Sequence, residues 1–416
     1  MKRFLACLLA LLFLVGCSSY ADPLDELYPY DLAEYIEPSD EPLTLRGWKI
    51  AVTDADVEQQ VLLLRSRYSE LKAVPDRGAA DLDYMILTYE CRIDGKLIDS
   101  MSETEAATVL GSGAMLPELE AALYGKKEGD SFFVTATLPS PYKPDVSYSG
   151  ATASFYITVV ELDEQNFRPY TDENVEKSTG YKTTEELEAA IREAVLETRR
   201  EELAKHLVSS AWNTVLEGAA VHGYPEDVLS TKLADAISLY TISAERAEMT
   251  LAEYAETLGY ETEEAFREAL TEKIKNDLRT SMLTVALGRK FGITVSEKEY
   301  NTGAAAYAES LGLTSTAALE LLYDRSEIAE NVLLDKIQDH LVKTAKIVDY
   351  TSGEELAYAD LFPETKTGVS ALWYVVIAAV AAAAVTALVL LIAGKIRKKK
   401  TRKAAKKAML HPTKKR

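Results

Sequence analysis

Leu116-Pro117-Glu118-Leu119-Glu120-Ala121-Ala122-Leu123 runs through Tyr124-Gly125-Lys126-Lys127-Glu128-Gly129-Asp130 into Ser131-Phe132-Phe133-Val134-Thr135-Ala136-Thr137-Leu138. The first eight residues read as a short helix with proline in its opening turn, where the missing N–H was an orphan anyway. Glu128-Gly129-Asp130 supplies a turn, and Ser131 to Leu138 reads as a strand. To either side, Tyr84-Met85-Ile86-Leu87-Thr88-Tyr89 and Phe155-Tyr156-Ile157-Thr158-Val159-Val160 are rich in β-branched and aromatic residues, and Asp94-Gly95 marks a hairpin turn. Residues 81–163 are therefore expected to form an α+β unit, an antiparallel curved sheet around one short helix.

Outside this unit the period changes to that of helices. Starts recur at Thr183-Thr184-Glu185-Glu186, Pro225, Thr262, Ser296-Glu297-Lys298-Glu299 and Thr314. Apolar stripes follow, among them Phe266, Leu270, Ile274 and Leu278, and Val332, Leu333, Ile337 and Leu341. The spacing predicts an all-α domain over 164–348, without an exact repeat or a long heptad run. Upstream, Thr53-Asp54-Ala55-Asp56 is a helix start, and Val57, Val61, Leu64, Tyr68 and Leu71 make one stripe. Residues 43–80 are expected to hold a connecting helix that packs on the helical domain. Pro23, Pro29, Pro38 and Pro42 among many acids make 17–42 a disordered tether, and 349–370 reads as a linker.

The ends carry a different message. Lys2-Arg3 followed by the apolar run Phe4 to Val15 reads as a signal peptide over 1–16. It stops at Leu14-Val15-Gly16-Cys17, which resembles a lipobox and makes Cys17 the expected lipidation site. Residues 371–393 hold 23 residues with Thr386 the single small polar one. At about 1.5 Å per residue this reaches across a hydrocarbon core of roughly 30 Å, so a C-terminal transmembrane helix is expected. The tail, 394–416, carries 12 Lys/Arg and no acid. Positive charge stays on the cytoplasmic side, so the expected location is a bacterial cell membrane, crossed once, with the main body extracytoplasmic.

Composition narrows the function classes. The 416 residues hold 46 basic and 66 acidic side chains, a net charge of −20, which argues against nucleic acid as a partner. The basic tail has no interleaved aromatics and fits a stop-transfer anchor on a lipid bilayer. His206, His222, His340 and His411 are scattered without metal-ligand spacing, so no metal site is expected. Cys91 is the lone cysteine of the mature body and reads as an inert buried thiol.

Asp83-Tyr84, Leu87-Thr88-Tyr89, Asp94-Gly95-Lys96-Leu97-Ile98-Asp99, Val109-Leu110-Gly111-Ser112-Gly113, Leu116-Pro117-Glu118-Leu119-Glu120, Leu123-Tyr124-Gly125 and Leu138-Pro139-Ser140-Pro141-Tyr142 together resemble an FKBP-type peptidyl-prolyl isomerase domain. The variety most similar is that of trigger factor, and the flanking regions 43–80 and 164–348 resemble its connecting helix and helical chaperone domain. The fold implied is multidomain: an FKBP-like α+β domain, an all-α chaperone domain and one membrane span. Trigger factor's ribosome-docking module finds no counterpart before Pro42, which implies no ribosome partner. Carried over by motif, the resemblance implies Tyr142, Asp99 and Tyr89 as catalytic positions, and Ile98, Met115, Leu116, Leu119 and Ile157 as substrate-binding ones. No cofactor is implied.

Leu119 stands where an aromatic floor is expected, and Ile98 where a phenylalanine commonly precedes the acid, so the implied isomerase is a weak one. The expected function is a membrane-anchored extracytoplasmic foldase with isomerase and chaperone activity on unfolded or nascent exported polypeptides. The alternative is a non-enzymatic holdase or adaptor with a vestigial isomerase pocket.

Overall fold

A computed structural model describes residues 28–74 and 76–363, which fall into two units. One comprises residues 46–206 and 346–363, the other residues 28–45 and 207–345. The boundary falls inside a single helix, Thr184–Gly218.

The first unit is organised by a six-stranded antiparallel sheet. The long strand Thr152–Asn166 pairs along one side with Tyr84–Ile93 and along the other with Ser131–Thr137 and Glu70–Ala73. Tyr84–Ile93 in turn pairs with Lys96–Leu97 and Glu103–Val109. Asp94 and Gly95, both at positive φ (50° and 79°), make the hairpin between Tyr84–Ile93 and Lys96–Leu97, the backbone state that a two-residue turn of this kind requires. Alternation along Tyr84–Ile93 sends Met85, Leu87, Cys91 and Ile93 inward, and the register shifts between Ile86 and Leu87 against Thr152–Asn166 and between Leu87 and Tyr89 against Glu103–Val109. Against that face lies the helix Pro117–Leu123, which buries Leu119 and Leu123. The chain leaving it comes so close to residue 78 that a Cβ on Gly78 would lie 2.2 Å from the Gly125 carbonyl oxygen. Only glycine allows Ala79 and residues 125–126 to exchange backbone hydrogen bonds there, at 2.7 and 2.8 Å.

The connecting helix, Asp54–Ser66, begins with a capping box in which Thr53 and Asp56 satisfy each other's backbone N–H. Arg192 and Arg199 of helix Thr184–Gly218 pair with Asp54 (2.6 Å) and Asp56 (2.5 and 2.9 Å). The Arg199 guanidinium holds the Asp56 carboxyl far below the usual carboxylate range.

The second unit is helical: Glu226–Arg246, Leu251–Thr257, Glu263–Phe291, Glu297–Ser310, Thr316–Leu319 and Arg325–Thr344. Both expected stripes are interior. Phe266, Leu270, Ile274 and Leu278 join Ala255 in one cluster, and Val332, Leu333, Ile337 and Leu341 are at most 6% exposed. Within the stretch read as a tether, residues from Tyr28 onward are packed. Tyr28, Leu32 and Ile36 are buried, the Tyr28 hydroxyl donates to Ser281 Oγ at 2.6 Å, and strand Ile36–Glu37 pairs with Ala220–Val221. Across the start of the stretch read as a linker, Lys346–Asp349 and Glu355–Leu356 form a hairpin.

The expected fold class needs one correction. Among the described residues no helix is long and apolar enough to cross a membrane, so what they form is a curved sheet unit plus a helical unit, and the expected transmembrane helix is not among them. The expected span 371–393, the basic tail 394–416, the signal over 1–16 and Cys17 lie outside the described residues.

Candidate functional site

The concave side of the sheet gathers most of the expected site. Ile157 (0% exposed), Leu119 (4%) and Ile98 (7%) belong to its buried cluster. Packed on that cluster, and only half-buried, are Tyr89, Met115, Leu116 and Tyr142. Asp99 stands apart from the apolar cluster; it is exposed, at the start of a single turn over Asp99–Met101. Three of the expected substrate-binding residues are thus interior, while two tyrosines, Met115 and Leu116 keep accessible surface.

Local chain geometry sets these positions. Tyr89 lies on Tyr84–Ile93, directly opposite Ile157, and its ring meets Phe155 edge-on at 6.3 Å. Ile98 is fixed by its N–H to the Cys91 carbonyl (2.9 Å), while Ser102 Oγ accepts from Cys91 N–H (2.9 Å) and donates to the Ile98 carbonyl (2.8 Å). Leu116 is the residue before Pro117 and caps the helix. Tyr142 sits on the loop after Ser131–Thr137. Its N–H donates to Ser149 Oγ at 3.0 Å, and that hydroxyl donates to the Val146 carbonyl at 2.7 Å.

Among the described residues neither the Tyr89 nor the Tyr142 hydroxyl has a hydrogen-bond partner. Burial pushes both phenols above the usual tyrosine value, with Glu103 adding to the rise at Tyr89 and Cys91 and Asp145 adding to it at Tyr142. They are neutral donors throughout ordinary pH. Burial likewise raises the Cys91 thiol, whose sulfur lies 3.8 Å from Met101 Sδ, so it is no nucleophile.

Met101, Phe132 and Tyr148 pack on the same cluster and were not anticipated. Phe132 had a signal: alternation along Ser131–Thr137 puts Phe132, Val134 and Ala136 inward, leaving Phe133 73% exposed outside. Met101 and Tyr148 lie in single turns whose direction no periodicity reports.

An arrangement of this kind can act on an amide without proton transfer. Rotation about an X–Pro bond faces a resonance barrier of about 18–20 kcal/mol. Apolar walls favour the twisted amide, which has lost part of its dipole, and a phenol can donate to a carbonyl oxygen.

Comparisons with known proteins match two stretches of the chain to families. Residues 76–160 match the FKBP-type peptidyl-prolyl cis-trans isomerase family, and residues 183–343 match the family of the bacterial trigger factor protein C-terminus. The trigger factor of Halothermothrix orenii is 26% identical over 251 residues, which are 60% of this chain and 58% of that protein. The trigger factor of Bacillus mycoides is 26% identical over 307 residues, covering 73% of this chain and 71% of its own. A solved trigger factor chaperone, studied for promiscuous substrate recognition in folding and assembly, is 20% identical with a TM-score of 0.35, over 74% of this chain and 73% of its own. The location expected from the sequence, a membrane crossed once, is corrected by the same findings: the relatives are trigger factors, and no described helix can cross a bilayer.

Proposed function

Starting from the fact that this is a trigger factor-like protein with an FKBP-type peptidyl-prolyl cis-trans isomerase domain, we propose that it is a foldase that turns X–Pro bonds in unfolded polypeptides held by its helical domain. The observation that carries this reading is the ring of half-buried side chains, with two unclaimed phenol hydroxyls, over a core without charge. A proline side chain would rest against Tyr89, Met115 and Leu116, with Ile98, Leu119 and Ile157 as the packed floor behind them. Tyr142 would donate to the substrate carbonyl, and Asp99 would mark the polar edge.

The helical unit offers what holding requires. Leu239 (66% exposed), Leu321 (86%), Leu322 (64%) and Tyr323 (45%) present apolar surface to solvent. Clients that share only exposed apolar surface suit such weak, unspecific contacts.

A protease-coupled isomerisation assay on a proline tetrapeptide tests the reading with the full chain. Tyr142→Phe is expected to lower kcat/KM about tenfold, since ~1.4 kcal/mol of lost transition-state stabilisation is a factor of ten. Asp99→Leu should change it less. An unchanged value in Tyr142→Phe removes that residue from the mechanism. Isomerisation at background in the unmodified chain, with client aggregation still suppressed, would leave a holdase.

A further inference from the structure

Tyr142 and Lys143 lie between two prolines, Pro141-Tyr142-Lys143-Pro144. Each proline fixes its own φ and restricts the residue before it, so the pair moves as one stiff segment. Tyr142 packs on the sheet's core, whereas Lys143 is exposed and its ammonium lies over the Trp48 ring, 5.8 Å from the centroid. The nearest acid along the loop, Asp145, already accepts from the Ser147 N–H (3.0 Å) and hydroxyl (2.7 Å). Among the described residues Lys143 has no ion pair, and Trp48 is what holds it.

Trp48 is a firm support. It is 5% exposed and stacks on His206 with centroids 5.0 Å apart and planes 27° from parallel. His206 Nε2 lies 2.9 Å from the Arg46 carbonyl oxygen, which can only accept, so Nε2 carries the proton. Burial pushes the imidazole below the usual histidine value and keeps it neutral. Tyr350 completes the group, 6.0 Å from His206, under the Arg46 guanidinium at 5.6 Å and with its N–H on the Gly47 carbonyl at 2.8 Å. The indole Nε1 is buried without a hydrogen-bond partner among the described residues, so no hydrogen bond from the ring places it.

We propose that Lys143 is a positioning residue for the isomerase reaction: its contact with the Trp48–His206–Tyr350 cluster clamps the Pro141–Pro144 segment and keeps Tyr142 over the site. This rests on the reading of Tyr142 given above. Lys143 touches no substrate. A cation on an aromatic face at a partly exposed position is worth little, so the effect on rate is small and specific.

The test uses the full chain and the proline tetrapeptide assay. Lys143→Met keeps the stem and removes the charge; kcat is expected to fall about two- to fivefold with KM little changed. Lys143→Arg keeps a cation for the ring and should restore the rate. In a Trp48→Phe background the Lys143→Met loss should shrink, as coupled partners require. A second readout needs no turnover: amide hydrogen exchange over residues 139–151 should quicken severalfold in Lys143→Met and not in Lys143→Arg. Unchanged exchange and unchanged kcat in Lys143→Met overturn the proposal. Tyr142→Phe separates the two failures: a rate lost there but kept in Lys143→Met removes the clamp alone, and a rate kept in Tyr142→Phe removes the reading beneath it.

Discussion

Beneath the proposed isomerase site the buried cluster from Ala79 to Leu162 consists of apolar side chains, whereas the helical unit buries groups that titrate. There, Tyr307 donates to Asp335 at 2.6 Å, and Tyr28 and Ser281 meet near Glu330. Asp335 keeps some accessible surface yet is densely surrounded, and burial pushes its carboxyl up to about 7. Glu330 is raised by the same cause. In the sheet the buried Asp83 is instead answered by Arg77 at 2.5 and 2.8 Å. Rotation about a proline bond moves no proton, so a neutral core suffices there. Helix packing over acids whose burial outweighs their partners is expected to make the other unit sensitive to pH.

The largest expected effect lies in the sheet. Ile157→Ala empties a fully buried position and should cost about 2–5 kcal/mol in urea unfolding. Isomerase loss at undiminished stability would instead place Ile157 on the substrate, which breaks the distinction between floor and rim. Next comes Asp335→Asn. A carboxyl whose folded pKa is raised gives stability that is complete below its unfolded value, near 3.8, and is lost as pH rises through about 7. The decline of unfolding free energy between pH 4 and 7 should therefore flatten by something on the order of 4 kcal/mol in the variant, read by denaturation at each pH. An equal slope in both proteins would make the two cores alike.

Ser296→Ala removes one half of the capping box with Glu299 and should cost about 1 kcal/mol, seen as faster hydrogen exchange in Glu297–Ser310. Isomerase activity, carried by the other unit, should not follow. The smallest change in stability, within about 0.5 kcal/mol, belongs to Leu321→Ser, because that side chain is 86% exposed. Its suppression of client aggregation should nevertheless weaken, and full suppression would sever exposed apolar surface from holding.

Much of the fold was readable before any coordinates. Pro117 opens its helix, Thr53 and Ser296 cap theirs, and the stripe from Phe266 to Leu278 is interior, because each depends on neighbours within a few residues. Tyr28 shows the limit. It stands in a proline-rich acidic stretch, and its partner Ser281 is 253 positions away. The four-residue spacing of Tyr28, Leu32 and Ile36 was the available hint. At the site, the motif residues Tyr89, Tyr142 and Leu116 do pack on one cluster, but motif could not say that Ile98, Leu119 and Ile157 would be closed in while Asp99 stood outside.

Sequence alone determined many of the elements, their order and their inward faces, since periods of two and 3.6 residues, caps and turns are written locally. Tertiary structure alone decided which inward residues remain reachable, which acids lack a cation, and that an ammonium beside Tyr142 meets an indole nearly a hundred residues earlier. Those outcomes depend on how separate chain segments exclude water from one another, a property that no single segment possesses.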